Sequence, residues 1–363
     1  MVEGLLAGLL PGRTCRCGRV HRVSVRRVAV GEEAYRVLAE DLRRWGWGRV
    51  LAVGDPLTFE AAGERLGEAL RAEAVQLVRF AFPAPPRATM EAARAVIDAM
   101  GGEPGGLAGV VAVGAGTVHD LARWAAHAVG LPLVSVPTAP SVDGFLSGVS
   151  ALLEDGVKRT RPACAPRAAY VDPSVVARAP RELVLAGLGD MVAKTTALVD
   201  WFLGHLVEGE WYCEELAGLL ARAVAVVMER SEGIARGQPG DVRELMAALL
   251  LSGLVMEMAG SSRPASGAEH HLSHYWEMRA LWTGGPALLH GAKVGVATGV
   301  AAALYQEVLK AGPDRWGGGP PPWERIRARI ERHFGPLAPS VVEMCRERYG
   351  DPQALLARRR RLE

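Results

Sequence analysis

The chain has 363 residues, 49% of them hydrophobic and 23% charged, with 43 glycines and a net charge of +2. That length exceeds what one simple core usually serves and points to two domains sharing an interface. The composition excludes disordered and fibrous classes, and the near-neutral charge specifies no polyanionic partner.

Cys15, Cys17, Cys164, Cys213 and Cys345 form an odd set without framework spacing, which implies a reducing compartment. No run reaches the roughly 18 apolar residues of a membrane span. Leu5 to Leu10, broken by Gly8, is too short for a secretory core, so a cytoplasmic protein without membrane insertion is expected. The basic run Ala357 to Arg361 reads as a solvated end, not a nucleic-acid contact.

In chain order, Thr14 to His21 (TCRCGRVH) suggests metal ligation by Cys15, Cys17 and His21. It lacks the second half of a structural zinc constellation and is read as a surface turn. Strands are predicted at Val23–Val30, Arg49–Val53 and Ala74–Phe80, alternating with helices at Glu32–Trp45, Thr58–Ala72 and Thr89–Met100. This alternation is the pattern of a parallel sheet with helices packed on it.

A buried strand, Val110–Val113, then runs into Gly114, Ala115 and Gly116 before a helix over Thr117–Ala128. Glycines let backbone amides approach a pyrophosphate, and the helix N-terminus adds partial positive charge, so this turn is a candidate phosphate cradle. His119 stands where the dinucleotide fingerprint requires its third glycine. The next strand, Pro132–Val136, ends in Thr138, Ser141 and Asp143, at the carboxyl edge where open α/β sheets bind ligands. Val149–Leu153 and Ala168–Val171 read as short strands flanking a turn at Glu154–Val157, and this half closes at Asp172. The expected organisation is an α/β, Rossmann-like parallel-sheet domain over 1–172 and an all-α domain over 173–363.

Helical spacing follows at Arg181–Leu203, Cys213–Arg230, Asp241–Met258, Glu269–Leu281 and Leu289–Lys310. Gly312–Trp323 reads as a loop, Glu324–Phe334 and Ser340–Tyr349 as the last helices. Asp190 sits in an apolar helix, where an ionised carboxylate needs a partner or a cation. His270 and His274 are four residues apart and share a helix face, with His271 and His290 close by in sequence. One carboxylate and two imidazoles suit Zn²⁺ or another divalent transition metal. Asp190, His270 and His290 are therefore the candidate ligands, with His274 left for substrate contact or proton transfer.

The strings VGAGTVHD, SVPTAPSVDG, GLGDMVAKTTALVDW, SRPASGAEHHLSHYWEM and LLHGAKVGVATG together resemble the sn-glycerol-1-phosphate dehydrogenase family, of the dehydroquinate synthase and iron-containing alcohol dehydrogenase fold. The resemblance runs from about Val23 to Leu309. It implies a metal-dependent, NAD- or NADP-linked reduction of dihydroxyacetone phosphate to sn-glycerol 1-phosphate for phospholipid synthesis, in a homo-oligomer. It carries the metal to Asp190, His270 and His290, with Zn first and Ni or Fe as other options. Substrate contacts fall on Asp143, Asp190 and His274, with Asp190 and His274 the catalytic pair. Dinucleotide contacts fall on Gly114, Ala115, Gly116, Thr117, Val118, Thr138, Ala139, Pro140, Ser141 and Ser147. Asp55, ending the second strand, is added at the adenosine ribose from fold position. Ala115 departs from the family's GGGS and adds a methyl at the cradle, while Thr117 keeps the hydroxyl. Arg263 and Lys293 are available for a phosphate; His119 and His271 are read as local. The rival activities are a polyol dehydrogenase, a dehydroquinate-synthase-like lyase and a silent dinucleotide-binding protein.

Overall fold

The computed structural model describes residues 1–9, 12–103, 106–154, 157–311 and 321–349. The basic run Ala357–Arg361, residues 312–320 of the Gly312–Trp323 loop and the centre of the Glu154–Val157 turn lie outside the described residues.

A short helix α1 (Val2–Ala7) and a hairpin of β1 (Gly12–Thr14) and β2 (Val20–Arg22) precede the alternating units. These are β3 (Arg27–Val30), α2 (Ala34–Arg44), β4 (Arg49–Gly54), α3 (Pro56–Ala72), β5 (Gln76–Ala81) and α4 (Met90–Gly101). Next come β6 (Gly109–Gly114), α5 (Gly116–Ala128), β7 (Leu133–Pro137), β8 (Val149–Glu154), β9 (Val157–Pro162) and β10 (Ala168–Val171). Of the strand expected over Val23–Val30 only Arg27–Val30 forms, as β3; residues 23–26 are irregular backbone that links it to β2.

Six strands form one parallel sheet in the order β3-β10-β7-β6-β4-β5. Side chains alternate between its faces. Val50, Ala52, Val111 and Val113 meet α2 and α3 on one side, and Leu51, Val53, Val110 and Ala112 meet α4 and α5 on the other. Burial on both faces explains why these strands read as continuous apolar runs. From β4 the chain moves outward to β5, then crosses back to β6 on the other side of β4. The strand order reverses there, and the crevice beyond the carboxyl ends of β4 and β6 is where such sheets take ligands.

β9 was not legible as a strand. Its sequence, VKRTRP, carries three basic residues and shows no apolar alternation, yet it pairs antiparallel with β8 in a sheet of its own.

The second half is helical: α6 (Pro173–Val176), α7 (Arg181–Val192), α8 (Lys194–Glu208), α9 (Glu214–Glu229), α10 (Ser231–Ala235), α11 (Pro239–Ala259), α12 (Ala268–Thr283), α13 (His290–Ala311), α14 (Trp323–Phe334) and α15 (Ala338–Tyr349). The one long helix expected over Arg181–Leu203 breaks at Ala193. There the Thr195 and Thr196 hydroxyls donate to the carbonyl oxygens of Val192 and Ala193, a local competition that loosens the helical ladder. α11 is the buried axis of this half, apolar nearly all round and enclosed by its neighbours. Val2, Leu6, Leu9, Cys15 and Val25 join that helical core rather than the core of the sheet.

Candidate active site

Glycine brings the metal candidates together. α7 and α13 cross backbone to backbone: a Cβ on Gly189 would lie 2.4 Å from the Gly291 carbonyl oxygen, and one on Gly291 would lie 1.9 Å from that of Ala186. Asp190 follows the first glycine and His290 precedes the second, so this close approach places carboxylate beside imidazole. Gly187 in turn admits the Pro140 carbonyl, which a Cβ there would meet at 1.8 Å. The helical half is thereby held against the end of β7.

One ligating atom each from Asp190, His270 and His290 falls within a set separated by no more than 4.8 Å. His270 Nε2 is 3.7 Å from Asp190 Oδ1. Its Nδ1 donates to Glu269 Oε1 at 2.8 Å, which fixes the tautomer and leaves Nε2 facing the cluster. Glu269 also accepts from the Gly267 amide and the Thr196 hydroxyl, both at 2.7 Å. Burial acts to raise this carboxyl, but bonds from His270, Thr196 and Gly267 pull it down to about 2. His290 Nδ1 is buried without a hydrogen-bond partner. An oriented imidazole, an orphaned ring nitrogen and a carboxylate fit a divalent transition metal.

Lys194 was missed. Fully buried, it sits 2.8 Å from Asp190 Oδ1 and 2.9 Å from Asp143 Oδ2. Burial works against its charge, but the two carboxylates hold its pKa above the ordinary lysine value. The available signal was its spacing four residues after Asp190 on the same apolar helix. Asp143 also donates its amide to Asp190 Oδ2 at 3.0 Å and accepts from Ser252 at 2.8 Å. Three predicted or newly found groups are therefore one polar unit.

A cleft of ≈ 620 Å³ opens over this unit, bounded by Gly116, Thr117 and Ser147 on one side and His270, His274 and His290 on the other. The His274 and His290 rings stack at 5.8 Å, and His270 and His290 lie 5.2 Å apart. Burial, reinforced by Lys158, lowers His274 to about 3 and His290 well below its ordinary value, so both are neutral imidazoles at pH 7. Lys158 from β9 and Lys293 from α13 also line the cleft, bridged by Glu277 at 3.0 and 3.2 Å. Lys158 escaped notice with its strand. Arg263 pairs with Glu210 and lies outside the cleft lining.

At the cradle, Gly114 and Gly116 are required by packing: Cβ atoms there would stand 2.7 Å from Val118 and 2.5 Å from Val142. The Gly116 amide reaches Ser141 Oγ at 3.5 Å, and Thr138 donates its amide to the Gly114 carbonyl at 3.0 Å. Ala115 is the residue before α5, and Val118 points into the core. Ala139 and Pro140 continue from Thr138 towards the Gly187 crossing. Ser147 donates to Gly144 and Val149 carbonyls. Buried Arg123, also unforeseen, binds Asp120, the Val149 carbonyl and the Gly144 carbonyl, tying this segment to α5. His119 is local, as expected: Nδ1 donates to the Ala115 carbonyl at 3.0 Å and Nε2 accepts from Ser135 at 2.7 Å. Asp55 caps α3, its Oδ1 accepting from the Leu57 and Thr58 amides at 3.0 Å each, and lies outside the cleft lining.

Comparison with known proteins bears on what this arrangement is. A family model described as iron-containing alcohol dehydrogenase matches residues 29–180. A glycerol-1-phosphate dehydrogenase [NAD(P)+] from Geobacillus thermodenitrificans is 40% identical over 298 residues, 82% of this chain and 74% of that protein. One of the same name from Thermococcus kodakarensis is 33% identical over 320 residues, 88% of this chain and 85% of that protein. The chain belongs to the glycerol-1-phosphate dehydrogenase family. Among solved structures, an iron-containing alcohol dehydrogenase from Thermotoga maritima aligns with a TM-score of 0.63 at 17% identity, covering 87% of this chain and 84% of that one. At that identity the likeness concerns the fold alone, and the sheet-plus-helices architecture of this glycerol-1-phosphate dehydrogenase family member is the fold they share.

Proposed function

We propose that the protein reduces dihydroxyacetone phosphate reversibly to sn-glycerol 1-phosphate with NADH or NADPH, using a divalent metal, zinc in first place, at Asp190, His270 and His290. The observation that carries this reading is the meeting of that three-residue cluster with two lysines, Lys158 and Lys293, and a glycine cradle in one cleft. When bound, the nicotinamide supplies a hydride for C2 and the metal supplies Lewis acidity towards the C2 oxygen.

The chain's own groups divide the remaining work. His274, kept neutral by burial, donates a ring N–H hydrogen bond to the C2 oxygen and relays a proton to it, the other ring nitrogen taking one from solvent in the cleft as the first is given up. Lys194 clamps the carboxylates of Asp190, on the metal side, and Asp143, on the substrate side, in fixed positions, Asp143 meeting a substrate hydroxyl. Lys158 and Lys293 meet the phosphate, at a depth where charge-assisted bonds are strong. The dinucleotide lies along Gly114–Val118, Thr138–Ser141 and Ser147, Val118 contributing backbone only. Asp55 enters through its place at the end of β4.

In this reading residues 1–172 serve the dinucleotide and 173–363 the metal and substrate. No helix among the described residues is long and apolar enough to cross a membrane, and none of the five cysteines forms a disulfide. Both facts support a cytoplasmic enzyme supplying the glycerol phosphate backbone of phospholipids. Val296, Val300, Leu304 and Val308 form an exposed apolar stripe on α13, which supports a homo-oligomer.

NAD(P)H oxidation measured with dihydroxyacetone phosphate and with dihydroxyacetone, across Zn²⁺, Ni²⁺ and Fe²⁺, tests the assignment. Turnover with the phosphate, abolished in Asp190→Asn and His270→Ala together with metal content, is expected, and chiral analysis should return the 1-phosphate. Equal turnover of the unphosphorylated ketone would instead make the protein a polyol dehydrogenase.

A further inference from the structure

Thr14 to His21 is the surface turn of the β1–β2 hairpin, but two of its side chains point inward. Cys15 and His21 are 6% and 2% exposed, and folding delivers Cys213, 1% exposed, onto them from the start of α9. The fourth member of the constellation thus lies nearly two hundred residues further along the chain. We propose that Cys15, Cys17, His21 and Cys213 form a structural zinc site, separate from the cleft.

Geometry supports four-coordination. The ligating atoms of these residues all lie within 4.8 Å of one another. Cys15 Sγ and Cys213 Sγ are 3.6 Å apart, and His21 Nε2 is 3.4 Å from Cys17 Sγ and 3.5 Å from Cys213 Sγ. A tetrahedron with Zn–S near 2.3 Å and Zn–N near 2.0 Å has edges of about 3.8 Å between sulfurs and about 3.5 Å from sulfur to nitrogen. The observed spacings match those edges.

The surroundings are those of a built site. Gly18, at φ +83°, turns the hairpin so that its amide bonds the Cys15 carbonyl at 3.1 Å and the Cys15 amide bonds the Arg19 carbonyl at 3.0 Å. This turn brings Cys15 and Cys17 to one side, and the Cys17 amide points at Cys15 Sγ, 3.5 Å away. His21 Nδ1 donates to the Met258 carbonyl at 3.1 Å, so the lone pair of Nε2 faces the three sulfurs. That orienting bond is the usual support of a metal-bound imidazole. Cys213 stands immediately before the first turn of a 16-residue helix, which holds its side chain at the cluster. Trp211 walls the cluster beside His21.

Three thiolates and one imidazole select a soft or borderline ion, and a set of four protein ligands leaves no position for substrate. None of the four lines the cleft. The site instead pins the β1–β2 hairpin, and α1 before it, to α9 and α11 of the helical half. Hydride transfer does not depend on it directly, so its failure and that of the proposed activity are separable.

The test is metal analysis of the full chain purified under reducing conditions. His270→Ala/His290→Ala, which dismantles the cleft cluster, should retain one zinc per chain. Adding Cys213→Ser should remove it and lower the melting temperature. If that variant does not fold, cobalt-loaded wild-type protein decides alone. Thiolate-to-cobalt charge-transfer absorption in the near ultraviolet is expected, which the oxygen–nitrogen set at Asp190, having no thiolate, cannot produce. Absence of that absorption, zinc lost entirely with the cleft histidines, or a Cys15–Cys213 disulfide in the unreduced protein would each overturn the proposal.

Discussion

Lys194 carries the electrostatics of the cleft floor. Asp190 is pushed up by burial and by the adjacent Asp143, while Lys194 pulls both carboxyls back and leaves Asp143 below its ordinary value. Removing one partner of a buried charge set strands the others, at a cost of about 3–5 kcal/mol. Lys194→Met should therefore lose stability of that order in urea unfolding of the metal-free protein; a loss under about 1 kcal/mol would mean the carboxylates are relieved in another way. Glu269 gives a pH test. Its folded value, about 2, lies below the ordinary 4.5. The stabilisation is thus complete above pH 4.5 and is lost as pH falls towards 2, on the order of 3 kcal/mol in all. Glu269→Gln should flatten the stability profile across that window, measured by denaturant unfolding at stepwise lower pH.

Helix pairing sets the metal ligands because two glycines permit it. Gly291→Ala puts a methyl 1.9 Å from the Ala186 carbonyl, a backbone atom that no rotamer change can move. Overpacking of this kind costs roughly 1–3 kcal/mol. It should also weaken metal binding, since His290 is the adjoining residue. Gly218→Ala on α9 is the control: its methyl would meet only the end of the Arg222 side chain at 3.7 Å, and the helix should gain up to about 1 kcal/mol. Thermal unfolding of the two variants should move in opposite directions, and metal titration should weaken in Gly291→Ala alone; equal metal affinity in both would show that the α7–α13 crossing does not govern the site.

Across the whole molecule, buried neutral histidines make the fold sensitive to acid. His119 is lowered to about 3 by burial, as is His274, and His290 lies well below its ordinary value. Groups with depressed values stabilise the fold fully above the unfolded value of about 6.5 and lose that contribution as pH falls through the window towards 3. His119 alone accounts for about 2 kcal/mol between pH 6.5 and 5. Urea midpoints should fall steeply over this range, and His119→Gln, which keeps a side-chain amide for Ala115 and Ser135, should reduce the slope. An unchanged slope would remove His119 from the explanation.

Local periodicity was enough to determine the parallel sheet, its helices and the change to an all-helical second half, because an apolar side-chain repeat is a property of neighbouring residues. The metal candidates were legible in part: a carboxylate in an apolar helix is visible without a partner, and helical spacing marked the His270 and His274 face, but His290, twenty residues on, was drawn in by the donor set the chemistry needs and by the family resemblance. Tertiary structure alone supplied β9, whose basic sequence hides a strand and with it Lys158. It alone showed that Lys194 joins Asp143 to Asp190 and that Arg123 ties the 144–149 segment to α5. The clearest case is Cys15, Cys17 and His21, an incomplete set in sequence that Cys213 completes. Spacing along a chain reports only contacts within a few residues, whereas the approach of α9 to the first hairpin depends on the packing of the entire helical half.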